Sequence, residues 1–382
     1  MAIKSNLKAV RGISNITTAI KARVDSRTNL TKAEIDDKVD LARANMPYDH
    51  LYSWNANING VIIRLITNNY HLADFWIDNW FPAPLEGVEP HGCIFAVTGI
   101  PDQPPFAYYC SETKTAVMLN SDYYGQVKSW ALGIVADIME MQHNIHSLHA
   151  AVVDIGGCGI TLIAPTGTGK STHSYGLTLN VPSARLHSDD WCYVDYVGGT
   201  TQGRAIARIS ERKFYIRTDL AGGFPRLAEL FDRSKLENVG ESYTDVPNSR
   251  AILDPIWVGG PEHFVHTTRI QGVVLLRRDK VSPPEVQLEA EDAINILKKG
   301  EFTILPGSGP EADWGKTKTE PFYNPYLLVR NESRTQLQVD FFRRLFQYAR
   351  CYILNTGVET VEESRTRILR IAREVCSCAL TC

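Results

Sequence analysis

The sequence predicts an α/β protein with two domains and a helical N-terminal arm, and three observations carry that expectation. From about Tyr48 onward, short strand-like apolar runs alternate with helix-length segments whose apolar residues recur at a period of 3.6. A segment rich in Gly, Thr and Lys then lies between one such run and one such helix, around residues 164–172. Ahead of both, residues 1–28 space Ile3, Leu7, Val10, Ile13, Ile16, Ile20 and Val24 by threes and fours. The expected divisions are an amphipathic arm over 1–47, a smaller α/β domain over 48–146 and a core over 147–382.

Composition narrows the class. The chain has 382 residues, 44% hydrophobic and 22% charged, with 27 glycines and 19 prolines, which excludes a disordered, collagen-like or coiled-coil protein. A net charge of −3 gives no global reason to expect nucleic acid or an anionic membrane as partner. No apolar run approaches the eighteen or so residues of a membrane span, and no apolar h-region opens the chain, so a cytoplasmic protein is expected. Eight cysteines without a C-x-x-C pair read as mostly reduced thiols. Cys376, Cys378 and Cys382 read as an inert tail, with soft-metal or disulfide chemistry as the alternative.

Along the chain, the arm carries Lys4, Lys8, Arg11, Lys21, Arg23 and Arg27 against Asp25, the pattern of a basic amphipathic helix. A lipid surface, an acidic partner or an organellar address could read it; packing on its own domain or on a second subunit is the plainer reading. A second helix is expected over Lys32–Ala44, capped by Thr31 and closed by Pro47. Strands follow over 61–66, 93–97 and 115–119, then a helix over 125–141, with loops over 81–90 and 102–105.

The segment that carries chemistry begins at His149. Residues 149–154, a Gly156-Gly157 turn and residues 159–163 read as a hairpin, whose second strand runs into Ala164, Pro165, Thr166, Gly167, Thr168, Gly169, Lys170, Ser171 and Thr172. Glycines let successive backbone N–H groups turn toward an anion, and a helix starting near Lys170 adds positive potential there. Lys170 would meet the β- and γ-phosphates and the Ser171 hydroxyl would coordinate magnesium. Ala164 stands where such loops usually carry their first glycine. Downstream, Asp189 and Asp190 end a strand and precede the apolar-rich run 192–197. One carboxylate can hold a metal while the other takes the proton from an attacking hydroxyl; a capped turn is the bland reading.

Together the His149 hairpin, the loop Thr166 to Ser171 and the Asp189-Asp190 pair resemble the nucleotide core shared by HPr kinase/phosphorylase and phosphoenolpyruvate carboxykinase. Asn248-Ser249-Arg250 resembles the carboxykinase Asn-x-Arg, residues 271–276 its following core strand, and 351–357 its late strand ending in Asn-Thr-Gly. Residues 123–128 resemble the carboxykinase segment that supplies a metal-binding lysine, here Lys128. The resemblance covers roughly residues 120–360, and it implies a mixed-sheet phosphate-loop kinase core.

It also implies roles. Asp189 would be the base, Asp190 the magnesium partner, and Arg250 would neutralise charge on the γ-phosphoryl oxygens. His149 would either ligate a second divalent metal or tune the neighbouring aspartate. Glu211, Arg212, Lys213 and Arg217, with Lys128, lie where such folds build acceptor contacts, although a solvated strand edge fits them equally. Residues 307–326 could form a lid over the site or a plain connection.

The leading expectation is an ATP-dependent, Mg2+- or Mn2+-requiring kinase that phosphorylates a hydroxyl, either a serine of a protein or peptide or an alcohol on a metabolite such as an amino acid or sugar. A keto-acid carboxykinase and a nucleotide-gated binding protein without catalysis are the alternatives. HPr kinase relatives assemble into oligomers, which carries over here only as a homo-oligomer expectation.

Overall fold

A computed structural model describes residues 20–198, 203–240, 242–244, 246, 248–304 and 311–379. The chain forms an α/β protein with mixed sheets, divided into two units. The first comprises residues 1–143, 211–254 and 326–329, the second 144–210, 255–325 and 330–382.

The first unit is built on a seven-stranded mixed sheet in the order β1-β6-β7-β5-β3-β2-β4. Its strands are β1 (Ser26–Arg27), β2 (Tyr52–Ile58), β3 (Val61–Thr67), β4 (Phe81–Pro82), β5 (Gly92–Val97), β6 (Phe106–Cys110) and β7 (Thr115–Leu119). Helix α1 (Lys32–Ala44) matches the expected bounds, and Thr31 and Glu34 close a reciprocal capping box at its start. Helix α2 (Tyr70–Asn79) follows β3, and α3 (Tyr124–Gln142) is buried along nearly its full length, its polar Gln126, Lys128, Ser129, Asp137 and Glu140 included.

Residues 20–28 depart from the helical arm. Ser26 and Arg27 pair in parallel with Ala107 and Tyr108, and two buried side-chain amides hold the extended segment before them. Asn238 exchanges two hydrogen bonds with the Lys21 backbone, both 2.7 Å, and Gln126 does the same for Val24 at 2.9 and 3.1 Å. These tertiary partners override the helical periodicity. The rest of the expected amphipathic helix, residues 1–19, lies outside the described residues.

The expected boundary near 146 is close to the break after His143, but residues 211–254 belong to the first unit. They form a small antiparallel sheet of Phe214–Arg217, Arg250–Leu253 and Lys235–Glu237. The reason is polar. Asn79 donates to the Glu211 carboxylate at 2.9 Å and to the Lys213 carbonyl at 2.6 Å, Tyr124 N–H donates to Glu237 at 2.9 Å, and Lys235 pairs with Asp74 at 2.7 Å. No hydrophobic periodicity announces such contacts.

A nine-stranded sheet organises the second unit. Its labelled elements are β8 (His146–Leu148), β9 (Ala150–Ile155), β10 (Cys158–Ile163), α4 (Lys170–Asn180), β11 (Ala184–Ser188), β12 (Cys192–Val197), β13 (Arg204–Ile209), β14 (Thr267–Arg277), β15 (Glu285–Leu288), α5 (Ala290–Lys299), α6 (Glu332–Leu345), β16 (Arg350–Asn355) and α7 (Val361–Ala379). The strand order is β11-β9-β10-β14-β13-β12-β8, with β16 beside the C-terminal half of β14 and β15 beyond it. β10, β14 and β16 run parallel, so their C-terminal ends share one edge, the edge at which open α/β sheets bind ligands.

Cys158 and Cys376 form a disulfide, with Cα atoms 6.1 Å apart. This corrects the tail reading for Cys376: α7 packs on α4, β10 and β14, which brings that cysteine to the start of β10. Cys93, Cys110, Cys192 and Cys351 are free thiols. Among the described residues no helix is long and apolar enough to cross a membrane.

Candidate active site

The site is built at the ends of β9, β10 and β11. Antiparallel pairing of β9 with β10, turned by Gly156 (φ 64°) and Gly157 (φ 93°), sets Ile163 opposite Ala150, so the residues before β9 and after β10 lie together. β11 pairs with the other side of β9 and delivers Asp189 and Asp190 to the same edge. Between β10 and α4, Gly167 (φ 86°) and Gly169 (φ 109°) take left-handed backbone that side-chain-bearing residues avoid. Ala164 has no such backbone, so its lack of a glycine costs nothing. Thr166 and Gly167 are exposed at the loop tip, Thr168 and Lys170 are buried, and Ser171 and Thr172 are half-buried on the first turn of α4.

Two carboxylates, two hydroxyls, one ammonium and one imidazole converge here. Ser171 donates to Asp189 Oδ2 at 3.2 Å and Ser174 to Asp189 Oδ1 at 3.3 Å. Lys170 Nζ lies 2.6 Å from His149 Nε2 and 4.0 Å from Asp190 Oδ1, which is itself 3.1 Å from His149 Nε2. His149 Nδ1 meets the backbone carbonyl of Tyr323. That network assigns the proton: Nδ1–H donates to the carbonyl, and the Nε2 lone pair accepts from the Lys170 ammonium. Burial, then the Lys170 charge, lowers the His149 pKa, so the ring is neutral at neutral pH.

A cleft of about 280 Å3 continues from the loop along the strand ends. Pro165 and Thr168 form its side toward the 164–172 loop, and Leu275, Ile296, Phe302 and Ile353 give it apolar walls. Its rim is polar, with Arg278, Thr303 and Thr317. Asn355 ties down the neighbouring turn by donating to the Ser282 carbonyl at 2.9 Å and accepting from the Asp279 amide at 3.1 Å.

Tyr323 lines the same cleft, and its role is absent from the sequence reading because it acts through a carbonyl. It sits with Phe322 in a turn where both have positive φ, 57° and 49°. For such residues left-handed backbone costs about 1–2 kcal/mol each. Surrounding structure holds the turn: Phe322 is buried and stacks on Phe342 with ring centroids 5.7 Å apart, and Glu320 N–H donates to the Gly300 carbonyl at 2.8 Å. Gly300 ends α5 at φ 55°, and a Cβ there would stand 1.9 Å from the Glu320 carbonyl oxygen. Gly300→Ala should therefore destabilise the protein by at least about 2 kcal/mol in urea unfolding. Of the expected lid, residues 311–325 form short turns and the strand Thr317–Thr319 around this cleft, and 307–310 lie outside the described residues.

The remaining candidates lie in the first unit. Lys128 and Glu211 are buried and paired at 3.3 Å. Arg212 and Lys213 both reach Asp78, at 3.1 and 2.7 Å, and Arg217 donates to Asp219 at 2.9 Å. The Arg250 guanidinium lies 5.9 Å from the centre of the Tyr215 ring and donates to the Ser249 carbonyl at 3.0 Å. Each of the four cations proposed for acceptor contacts thus has a carboxylate partner within its own unit.

Among the described residues, no three His, Cys, Asp or Glu side chains are placed to hold a metal by themselves. Magnesium asks for less: one or two hard oxygens from the protein, the rest from phosphate and water. Ser171 and Asp189 supply such a pair. His149 fits poorly as a ligand, since Lys170 sits against one nitrogen and the Tyr323 carbonyl against the other. Comparison with protein-family models returns no match, and comparison with curated proteins returns none. The functional reading therefore rests on these residues and their placement.

Proposed function

We propose that this protein is a magnesium-dependent kinase that transfers the γ-phosphate of ATP to a hydroxyl acceptor. The observation that carries the reading is the Ser171–Asp189 contact beside a Lys170–His149–Asp190 cluster, directly after a glycine-turned loop at the N-terminus of α4. Loop N–H groups and Lys170 bind the β- and γ-phosphates, and the cleft takes the nucleoside. Ser171 and Asp189 would hold magnesium, which when bound neutralises charge across the phosphate oxygens.

The contacts favour exchanging the roles that the resemblance implies for the aspartates. Asp189 already accepts from the loop serine, the pairing expected of a metal-side carboxylate. Asp190 is more open, its side chain 22% exposed, and faces His149 and Lys170. As base, Asp190 takes the acceptor O–H proton while the oxygen forms its bond to the γ-phosphorus and the bridging oxygen leaves with ADP. Neutral His149 accepts from Lys170, whose ammonium also lies 4.0 Å from Asp190 Oδ1, and takes no proton itself. Arg250 belongs to the first unit and takes no part in the proposed step. For Arg212, Lys213 and Arg217, the carboxylate partners favour a structural role over acceptor contact.

Incubation with γ-labelled ATP and pooled peptides and metabolites should label a hydroxyl-bearing product, and magnesium chelation should abolish it. Oxaloacetate-dependent formation of phosphoenolpyruvate would replace this reading with the carboxykinase. Nucleotide binding with no transfer to any pool would leave the binding protein.

A further inference from the structure

Tyr323 belongs to both ends of the site. Its side chain lines the cleft beside the phosphate loop, and its carbonyl holds His149 Nδ1. The ring is buried at 7% exposure, and its hydroxyl donates to the Glu301 carbonyl at 3.3 Å on the cleft wall. Its backbone is in the left-handed region, as is that of Phe322, so the carbonyl direction depends on the surroundings holding both residues there. Strand geometry sets the distance. β10, which ends in the loop, and β16, which carries Ile353, are two strands apart across β14, about 10 Å. That matches the reach from the β-phosphate of an extended nucleotide to its base. A donor anchored on the loop therefore brings its base toward Ile353, in the cleft that Tyr323 also lines.

We propose that Tyr323 is a positioning residue that couples the two ends of the donor site: a nucleoside seated in the cleft packs on its ring, steadies the 322–323 turn, and so fixes the carbonyl that orients His149. This rests on the nucleotide reading above and adds to it a device by which base occupancy is felt at the Lys170–His149–Asp190 cluster. Polyphosphate alone fills the loop and leaves the device unengaged.

The test uses the full chain with 15N-labelled histidine and two probes, a non-hydrolysable imido analogue of ATP and inorganic tripolyphosphate, each with magnesium. The measured quantity is solvent exchange of the His149 Nδ1–H, which a purely structural tyrosine would not make dependent on the probe. In the wild type the nucleotide analogue should slow this exchange about tenfold more than tripolyphosphate does. Tyr323→Gly keeps left-handed backbone accessible but removes the ring, and should make the two probes equivalent. Tyr323→Phe retains the ring and should preserve the difference. Thr303→Trp, at an exposed cleft position, should obstruct the base and also erase the difference without touching the turn. Equal effects of the two probes in the wild type, or a difference that survives Tyr323→Gly, would overturn the coupling while leaving nucleotide binding intact. Failure of both probes to bind, with Lys170→Ala indistinguishable from wild type, would instead remove the phosphate-loop reading and the coupling with it.

Discussion

Asp190→Asn should lower phosphoryl transfer by about 100- to 10,000-fold, the contribution of a positioned general base, while leaving magnesium-dependent nucleotide binding in place. Asp189→Asn should behave differently. It removes the carboxylate that accepts from Ser171 and Ser174, so nucleotide affinity should lose its dependence on magnesium. Titration calorimetry with and without the metal, alongside single-turnover rates, separates the two. The order implied by the family resemblance predicts the reverse, with Asp189→Asn silent in the metal titration. The physical ground for the exchange is that the strand end gives the two side chains different neighbours: hydroxyls on α4 for Asp189, and an imidazole and an ammonium for Asp190.

Stability should fall steeply as pH drops below about 6.5, because three histidines in the second unit are buried as neutral rings. Burial lowers the His146 pKa to about 3, and those of His173, where the Arg365 charge adds to it, and His187 to about 4. Unfolded, each ring takes a proton near 6.5, whereas the folded rings resist until well below that. The stability they contribute is thus complete above about 6.5 and is lost as pH falls toward 4. Each contributes a slope approaching 1.4 kcal/mol per pH unit in that window, or about 4 for the three. Urea unfolding between pH 7 and pH 5 measures it. In His146→Phe, whose ring would replace the imidazole stacked on Phe341, the slope should shrink by about a third. An unchanged slope would mean that His146 is already protonated in the fold.

Elements whose signals are local were legible. Helix α1 and its Thr31 cap, strands β3, β5 and β7, helix α3, the β9–β10 hairpin and the start of α4 at Lys170 all follow from periodicity, capping and turn chemistry within a few residues. Residues 20–28 are extended where apolar spacing predicts a helix, because that spacing is indifferent to whether a tertiary partner will claim the backbone. Asn238 and Gln126 claim it from more than a hundred residues away. The Cys158–Cys376 pairing is illegible for a similar reason, since no spacing rule links a hairpin turn to a C-terminal helix.

What the amino-acid sequence determined on its own is which groups are available: a loop of Gly, Thr, Lys and Ser ahead of a helix, and two adjacent carboxylates after the next strand. Which carboxylate faces which partner, and what holds His149, were decided only when β9, β10 and β11 paired and the 322–323 turn folded back onto the site. Residue types are written along the chain, but direction is a property of register. A carbonyl has no side-chain identity to read, so the Tyr323 contact is visible only in the folded protein.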